Sequence, residues 1–516
     1  MSSLPELSNV RADDIAVDDG ERLVSWSELD VRSTSFGNGL EALGATAGSH
    51  VAICVSNRAE FVEAVLGAWR AGCAYTPLKT GWTADEVGAV LDDASTRVLV
   101  TDRAGAREAA RTRGIPVVDL DDGFEVWLGT QRDEPFGDDR CGYKLPYTSG
   151  TTGRPKGVVM SGSGTTPFAV GWAGIAKWAE ALRLPGDGTH LFLSRLFNGA
   201  PQTFGFGAMA RGATLRIMRQ WNPAGALAAL AEPDVSSTIM VPTMFRQLLV
   251  LPGIDRAVAP SPSLRTILHG GEPCPAPLKA AIADWFGELL VEYYGFTEGG
   301  MTLVGPDEWR DRPGTVGRPL AGMSVRILDD DGADLGLNTE GTVYFQPAAG
   351  RRFHYQGDAD KTDRAHRGDA FTVGDIGWLD DDGFLYLCGR QADVVVSAGV
   401  NVYPAEIEQA LTDVAGIADL CAVGGPNAER GEVVVLHVAL LPGADRDTTL
   451  AAIEARSRER LAPYKRPRTV LVVDDVPRDQ TGKLLRRVLR DPLWHDSAQF
   501  AASTPNQSGT GGACQT

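Results

Sequence analysis

Strand-like and helix-like segments alternate through the first third of this chain, and that alternation restricts its fold more than any other feature. The apolar run VAICV at 51–55 reads as a buried strand. RAEFVEAVLGAWRAG follows, with Phe61, Val62, Val65, Leu66 and Trp69 spaced onto one helical face and a close at Gly72. TADEVGAVLDDA opens with a capping box from Thr83 to Glu86 and turns Val87, Val90 and Leu91 inward. TRVLVTD then returns to strand. Such alternation builds a parallel sheet covered by helices.

The chain is 516 residues long, too long for one small core, so a large domain and a smaller one are expected. GWLDDDGFLYLCGR reads as a hairpin turning at Asp382–Gly383. Beyond Arg390 the pattern restarts as a compact α+β unit. PAEIEQALTDV is a helix with Pro404 in its first turn, GEVVVLHVALL a strand, TTLAAIEARSRERL a helix and TVLVV a strand. The boundary falls at Gly389–Asp393, giving domains over 1–389 and 390–491. The small polar residues of 492–516 read as a disordered tail.

A net charge of -18 argues against nucleic acid or an anionic membrane surface as partner. Any phosphate site must then be built from local cations and backbone amides. Seven scattered cysteines without a CxxC pair read as free thiols in a reducing compartment, and dispersed histidines without HExxH argue against zinc. The first residues lack a signal-peptide core and no apolar run is long enough to span a bilayer. The expectation is a soluble, cytoplasmic protein.

Six stretches carry possible chemistry. YTSGTTGRPKGV (147–158) joins glycines, hydroxyls and Lys156 in a nest suited to phosphate oxygens. It is not a Walker A loop, because Gly157 and not Ser or Thr follows Lys156. YYGFTEGG (293–300) offers Tyr294 for stacking on a purine, Thr297 for a phosphate oxygen and Glu298 as a hard oxygen ligand for Mg²⁺. HGGEPCP (269–275) permits close backbone approach, and Asp375 in TVGDIG suits a pair of ribose hydroxyls. GRQADVVVSAGVNVYPAEIE (389–408) joins a turn, a strand, a small-residue loop and a helix start. PRDQTGKLLRR places Lys483 after a glycine turn. Singly, each also fits an ordinary turn or a solvated face.

In order and together, these stretches resemble the successive core motifs of the adenylate-forming superfamily: acyl- and aryl-CoA synthetases, peptide-synthetase adenylation domains and luciferases. The resemblance runs from about Ser25 to Arg486. It implies an α/β fold: a large multi-subdomain N-terminal region of layered sheets and helices, plus a small mobile α+β C-terminal domain. It also implies two half-reactions, in which a carboxylate attacks the α-phosphorus of ATP and a thiol then displaces AMP. Thr148, Ser149, Gly150, Thr151, Thr152, Gly153 and Lys156 would cradle the outgoing phosphates. Gly271, Glu272, Pro273 and Tyr294 would enclose adenine, with Gly295 and Phe296 also on the nucleotide side. Asp375 and Arg390 would hold the ribose, Thr297 the α-phosphate, Glu298 Mg²⁺, and Lys483 the reacting oxygens. The small domain would swing about the 390–393 link and bring the 397–401 loop to CoA, with Ser397, Ala398 and Gly399 as contacts. Ala392 stands where relatives carry a hinge Asp or Lys.

For the acid, the resemblance assigns Gly162, Phe197, Asn198, Gly199, Ala200, Gly270, Tyr293 and Gly299 to the acyl site, with Gly300 adding a further small side chain there. Peptide-synthetase domains pair an Asp with the substrate's ammonium where this chain has Asn198, which disfavours an amino acid. Small residues without charge suggest a bulky, mostly apolar acid: fatty, aryl or polycyclic. A stand-alone CoA ligase is the favoured reading, and an enzyme loading a carrier protein is second. A non-catalytic nucleotide-binding relative comes third, since Lys483, Glu298 and Thr297 are all present.

Overall fold

The computed structural model describes residues 10–136, 141–148, 156–164, 166–251, 259–348, 351–398, 400–427, 429–479 and 482–495. The chain divides into two compact units. One holds the described residues of Met1–Gly336, Tyr344–Val373 and Leu379–Tyr386. The other holds those of Leu337–Val343, Gly374–Trp378 and Leu387–Thr516.

In the larger unit the alternating segments form a five-stranded parallel sheet in the order Val117–Asp119, Thr96–Thr101, His50–Cys54, Ala74–Pro77, Tyr143–Lys144. The predicted capping box is present: Thr83 Oγ1 accepts the Glu86 N–H while the Glu86 carboxylate accepts the Thr83 N–H. The helix Ala59–Arg70 departs from the amphipathic expectation, because all twelve of its residues are buried. Glu63 and Arg70 are absorbed by polar pairs with the neighbouring helix Trp26–Ala42, and Glu60 pairs with Arg22 and Arg58. Arg32 forks onto Glu63 at 2.8 and 3.0 Å, and Arg70 reaches Asp30 and, at 2.8 Å, Thr34. Trp26–Ala42 thus covers the polar side of this helix, and a second layer shares its apolar core.

That second layer is another sheet. Ile15–Asp18, Thr214–Ile217, Thr189–Phe192, Val235–Met240, Thr266–Gly270 and Leu290–Gly295 run parallel, and Met301–Val304 and Thr315–Pro319 follow antiparallel. One apolar core joins Val51, Ile53 and Val98 of the first sheet to Phe192 and Leu215 of the second, with Phe36, Phe61 and Val65 between them. A third, small sheet pairs Tyr147–Thr148 with Lys156–Met160 and that strand with Phe353–Tyr355.

The smaller unit is built on the hairpin Ile417–Asn427 and Gly431–Leu440, extended by Val395–Ser397, Val400–Val402 and the parallel strand Thr469–Val473. Pro404–Leu411 and Arg446–Arg460 are helices, the second capped by Asp445 accepting the Thr448 N–H at 2.9 Å. The last helix, Arg486–His495, corrects the reading of the tail. Residues 492–495 are helical, and Trp494 Nε1 donates to Gly424 O at 3.2 Å. Residues 496–516 lie outside the described residues. Among the described residues no helix is long and apolar enough to cross a membrane.

Candidate functional site

The described ends of the glycine-rich stretch form two paired strands. Tyr147 pairs with Gly157 and Thr148 with Lys156 in antiparallel register. Ser149, Gly150, Thr151, Thr152 and Gly153 lie outside the described residues, so the base of the loop is what can be read. Tyr147 donates its hydroxyl to Asp93 Oδ2 at 2.7 Å, and burial together with that carboxylate holds the phenol well above its usual range. Gln356 ties the other strand, donating its N–H to Gly157 O at 2.9 Å and its amide to Asp93 O at 2.8 Å. A Cβ at Gly157 would come within 3.2 Å of the Gln356 amide oxygen, a close fit against that side chain.

Four charged side chains gather beside this base. Lys156 Nζ lies 3.7 Å from Asp358 Oδ2. Glu298 is only 6% exposed and accepts a hydrogen bond from Tyr355 Oη at 2.7 Å. Lys361 stacks its ammonium 3.8 Å over the Tyr355 ring. Burial lowers the Lys361 ammonium, Glu298 and Asp358 raise it, and Lys156 lowers it further. Gly299, at φ +105°, packs against the end of the hairpin: a Cβ there would meet Met160 Cε at 3.0 Å. Thr297 is half-buried beside Glu298. The structure thus brings together two sequence-predicted residues, Lys156 and Glu298, through three others that sequence reading missed: Tyr355, Asp358 and Lys361. Among the described residues no three His, Cys, Asp or Glu side chains converge as a metal cage. A single oriented carboxylate nevertheless fits Mg²⁺, which keeps most of its waters and arrives with phosphates.

The 270–273 loop lies at the end of the strand Thr266–Gly270. Gly271 (φ +80°) and Pro273 are exposed, whereas the Glu272 carboxylate turns inward, accepting from Thr243 Oγ1 at 2.7 Å and from the Thr243 N–H at 3.2 Å. Tyr294 has Phe296 at 5.8 Å and Phe345 at 6.0 Å between ring centres. Phe296 itself packs edge-on against Phe345 and Phe371, so its ring serves the aromatic cluster. Gly295 closes against Gly300 O, 3.0 Å from where a Cβ would stand.

Among the residues assigned to the acyl site, most small side chains have a structural cause. A Cβ at Gly270 would stand 2.2 Å from Tyr293 O, and one at Gly300 would strike Phe296 and Phe345. Gly162 has φ +77°, a conformation that favours glycine whatever the space around it. The argument from empty space narrows to Gly199, where a Cβ would meet nothing within 4 Å, and its half-buried neighbour Ala200. Phe197 and Tyr293 are buried, Tyr293 edge-on to Phe204 at 4.8 Å. Asn198 Oδ1 is buried and has no hydrogen-bond partner among the described residues. The expectation of a region without charge also needs correcting. Lys144 Nζ donates to Gly199 O at 2.8 Å and to Thr203 Oγ1 at 2.5 Å, and burial pushes this ammonium down to about 8. No signal in the local sequence marked this lysine.

In the smaller unit Arg390 Nε donates to Asp375 Oδ1 at 3.0 Å. Lys483 closes a turn in which Gly482 has φ +89° and the Asp479 carboxylate accepts the Lys483 N–H at 3.1 Å. Burial and then Arg390 lower the Lys483 ammonium, while Asp479, Asp375 and Asp393 oppose them. Lys483, Asp375 and Arg390 therefore share one electrostatic neighbourhood. Ala392 is exposed in a short turn of 3₁₀-helix, and its carbonyl accepts from Arg490 at 3.3 Å. Ser397 is buried in its strand and Ala398 is exposed at φ +50°; Gly399 lies outside the described residues.

Comparison with known proteins places these features in company. Residues 6–349 match the family described as AMP-binding enzyme, and residues 406–483 match the AMP-binding enzyme C-terminal domain. The long-chain-fatty-acid–CoA ligase FadD13 of Mycobacterium tuberculosis (strain ATCC 25618 / H37Rv) is 30% identical over 93% of this chain and 94% of its own. The fatty acid–[acyl-carrier-protein] ligase ScoC of Streptomyces coeruleorubidus is 30% identical over 93% of each. The crystal structure of ATP-bound MatB from Rhodopseudomonas palustris superposes with a TM-score of 0.82 at 26% identity, covering 94% of this chain and 97% of that one.

Proposed function

The chain belongs to the AMP-binding enzymes, the adenylate-forming acid–thiol ligases, and on that premise we propose that it activates a carboxylic acid as its acyl-AMP and passes the acyl group to coenzyme A. The acid supplies its own nucleophile, so the protein's work is to position reactants and offset phosphoryl charge. Lys156 and the hairpin hold the outgoing phosphates. Thr297 addresses the α-phosphate, Asp375 and Arg390 the ribose, and Lys483 the oxygens of the forming acyl–phosphate bond. Glu298, held by Tyr355, would hold Mg²⁺, and the bound ion would neutralise phosphate charge. The Thr243 bonds keep the Glu272 carboxylate away from the base and leave the loop backbone to receive it.

What carries this reading is one juxtaposition: Glu298 oriented by Tyr355, with Lys156 and Lys361 alongside, at the root of the glycine-rich hairpin. A nest of that kind has little use in a fold that does not handle phosphates. The room at Gly199 and Ala200 favours a bulky acid. A carrier protein as acyl acceptor is the second reading, supported by ScoC at the same identity as FadD13. A panel of fatty, aryl and polycyclic acids, assayed for AMP release with and without CoA, tests both. CoA-dependent AMP release with a bulky acid is expected. Turnover only on addition of a phosphopantetheinylated carrier would favour the second reading, and no acid-dependent AMP release would reject both.

A further inference from the structure

Lys144 belongs to the short strand Tyr143–Lys144 and stands opposite Tyr75 in parallel register. Its ammonium spans to the first turns of the helix Gly199–Ala210, where it meets two neutral oxygens, Gly199 O and Thr203 Oγ1. Thr203 Oγ1 also donates to Gly199 O at 2.8 Å. Among the described residues no carboxylate lies within ion-pair distance of Lys144 Nζ. A neutral donor would have tied the helix equally well, so tethering explains the hydrogen bonds and leaves the charge unexplained. Lys144 is half-buried, and that burial disfavours its charged form, so an anionic or strongly polar partner would stabilise it.

The surroundings point to where that partner comes from. Gly199 is exposed and open beside the carbonyl that Lys144 holds. Gln202, on the same helix and 1% exposed, uses its amide oxygen to accept from Tyr75 Oη at 3.0 Å, while its Nε2 is buried with no partner among the described residues. Lys144 thus meets the start of this helix beside the open space at Gly199, and the helix holds a second donor with unspent capacity, buried, at Gln202. The proposed reaction commits the acid's reacting carboxylate to the α-phosphorus of ATP, where it forms the acyl–phosphate bond. Lys144 then addresses something else on the same molecule.

We propose that Lys144 recognises a second oxygen acceptor, a carbonyl or carboxylate, carried by the acid substrate away from its reacting carboxylate. This rests on the acid-activating reading above and narrows it: the acid is bulky and apolar in body but oxygenated at a distance. The low ammonium value fits a site that gains a partner when substrate enters.

The test uses matched acids, a cyclic or aryl acid bearing a second carboxylate or ring ketone and the same skeleton without it. Binding is measured by calorimetry and turnover by AMP release. The intact protein should bind and use the oxygenated acid at least ~10-fold better. Lys144→Met should erase that preference through KM and leave the plain acid nearly unchanged. Lys144→Gln, which keeps a donor for Gly199 O, should melt like the wild type and still lose most of the preference. Equal binding of both acids by the wild type overturns the proposal, as does uniform loss on both acids in Lys144→Gln. Binding that discriminates without any turnover would support Lys144 recognition and count against the reaction.

Discussion

The Tyr355 hydroxyl points at Glu298 Oε1 from 2.7 Å, across 57 positions of sequence, and fixes a buried carboxylate at the root of the glycine-rich hairpin. Burial and the Glu298 charge keep the Tyr355 phenol above its usual range, so it stays a donor at every working pH. Tyr355→Phe removes one hydrogen bond to a charged group, about 1.5–3 kcal/mol by the usual measure. Activity should fall roughly ten- to hundredfold at limiting Mg²⁺ and recover partly at saturating Mg²⁺. A loss independent of Mg²⁺ would detach Glu298 from the metal role.

Acid should destabilise the larger unit through buried neutral histidines. His190 is fully buried, shares a hydrogen bond with Ser237 Oγ at 2.9 Å, and burial lowers it to about 4. Its folded value lies below the unfolded value of about 6.5, so the unfolded chain takes the proton first. Stability is therefore full above about pH 6.5 and declines as pH falls towards about 4. Fully buried His269, lowered by burial and then by Lys279, adds in the same sense. Melting temperature followed against pH should show this limb, shallower in His190→Gln. Parallel limbs in the two proteins would contradict it.

Filling the open space at Gly199 should discriminate by substrate size. Gly199 has no neighbour within Cβ reach, so Gly199→Leu should leave the melting temperature close to wild type while lowering kcat/KM on bulky acids by about tenfold or more. Short acids should be spared. Gly162 and Gly270 cannot serve this test, because a positive φ at one and the Tyr293 carbonyl at the other penalise any side chain. Uniform loss across acid sizes would mean that the space at Gly199 is not where the acyl chain lies.

The parts of this protein written in local sequence were legible there. The capping box at Thr83–Glu86, the strand Thr96–Thr101 and the turn before Lys483 follow from neighbours within a few residues. What escaped depends on pairings distant in sequence. The burial of Glu63 and Arg70 depends on Arg32 and Asp30, which come from another helix. Tyr355 and Lys361 carried no motif of their own and matter only because the strand Phe353–Tyr355 lies beside the hairpin. Small residues misled for a related reason: Gly270 and Gly300 are small to admit protein atoms. Lys144 was invisible because nothing in the local sequence shows that a strand lysine will reach the helix at Gly199.

The most direct test withholds CoA and follows acid-dependent pyrophosphate release and acyl-AMP formation in the wild type and in Lys483→Ala, then supplies preformed acyl-AMP and CoA to each. The wild type should form acyl-AMP and pyrophosphate without CoA, and convert the adenylate to thioester and AMP when CoA is added. Lys483→Ala should lose ~10²–10³ in the first step and keep the second largely intact, because a positioned charge is removed from the forming acyl–phosphate bond alone. Pyrophosphate release that requires CoA, or equal loss of both steps in Lys483→Ala, would contradict activation through an acyl-AMP aided by this lysine.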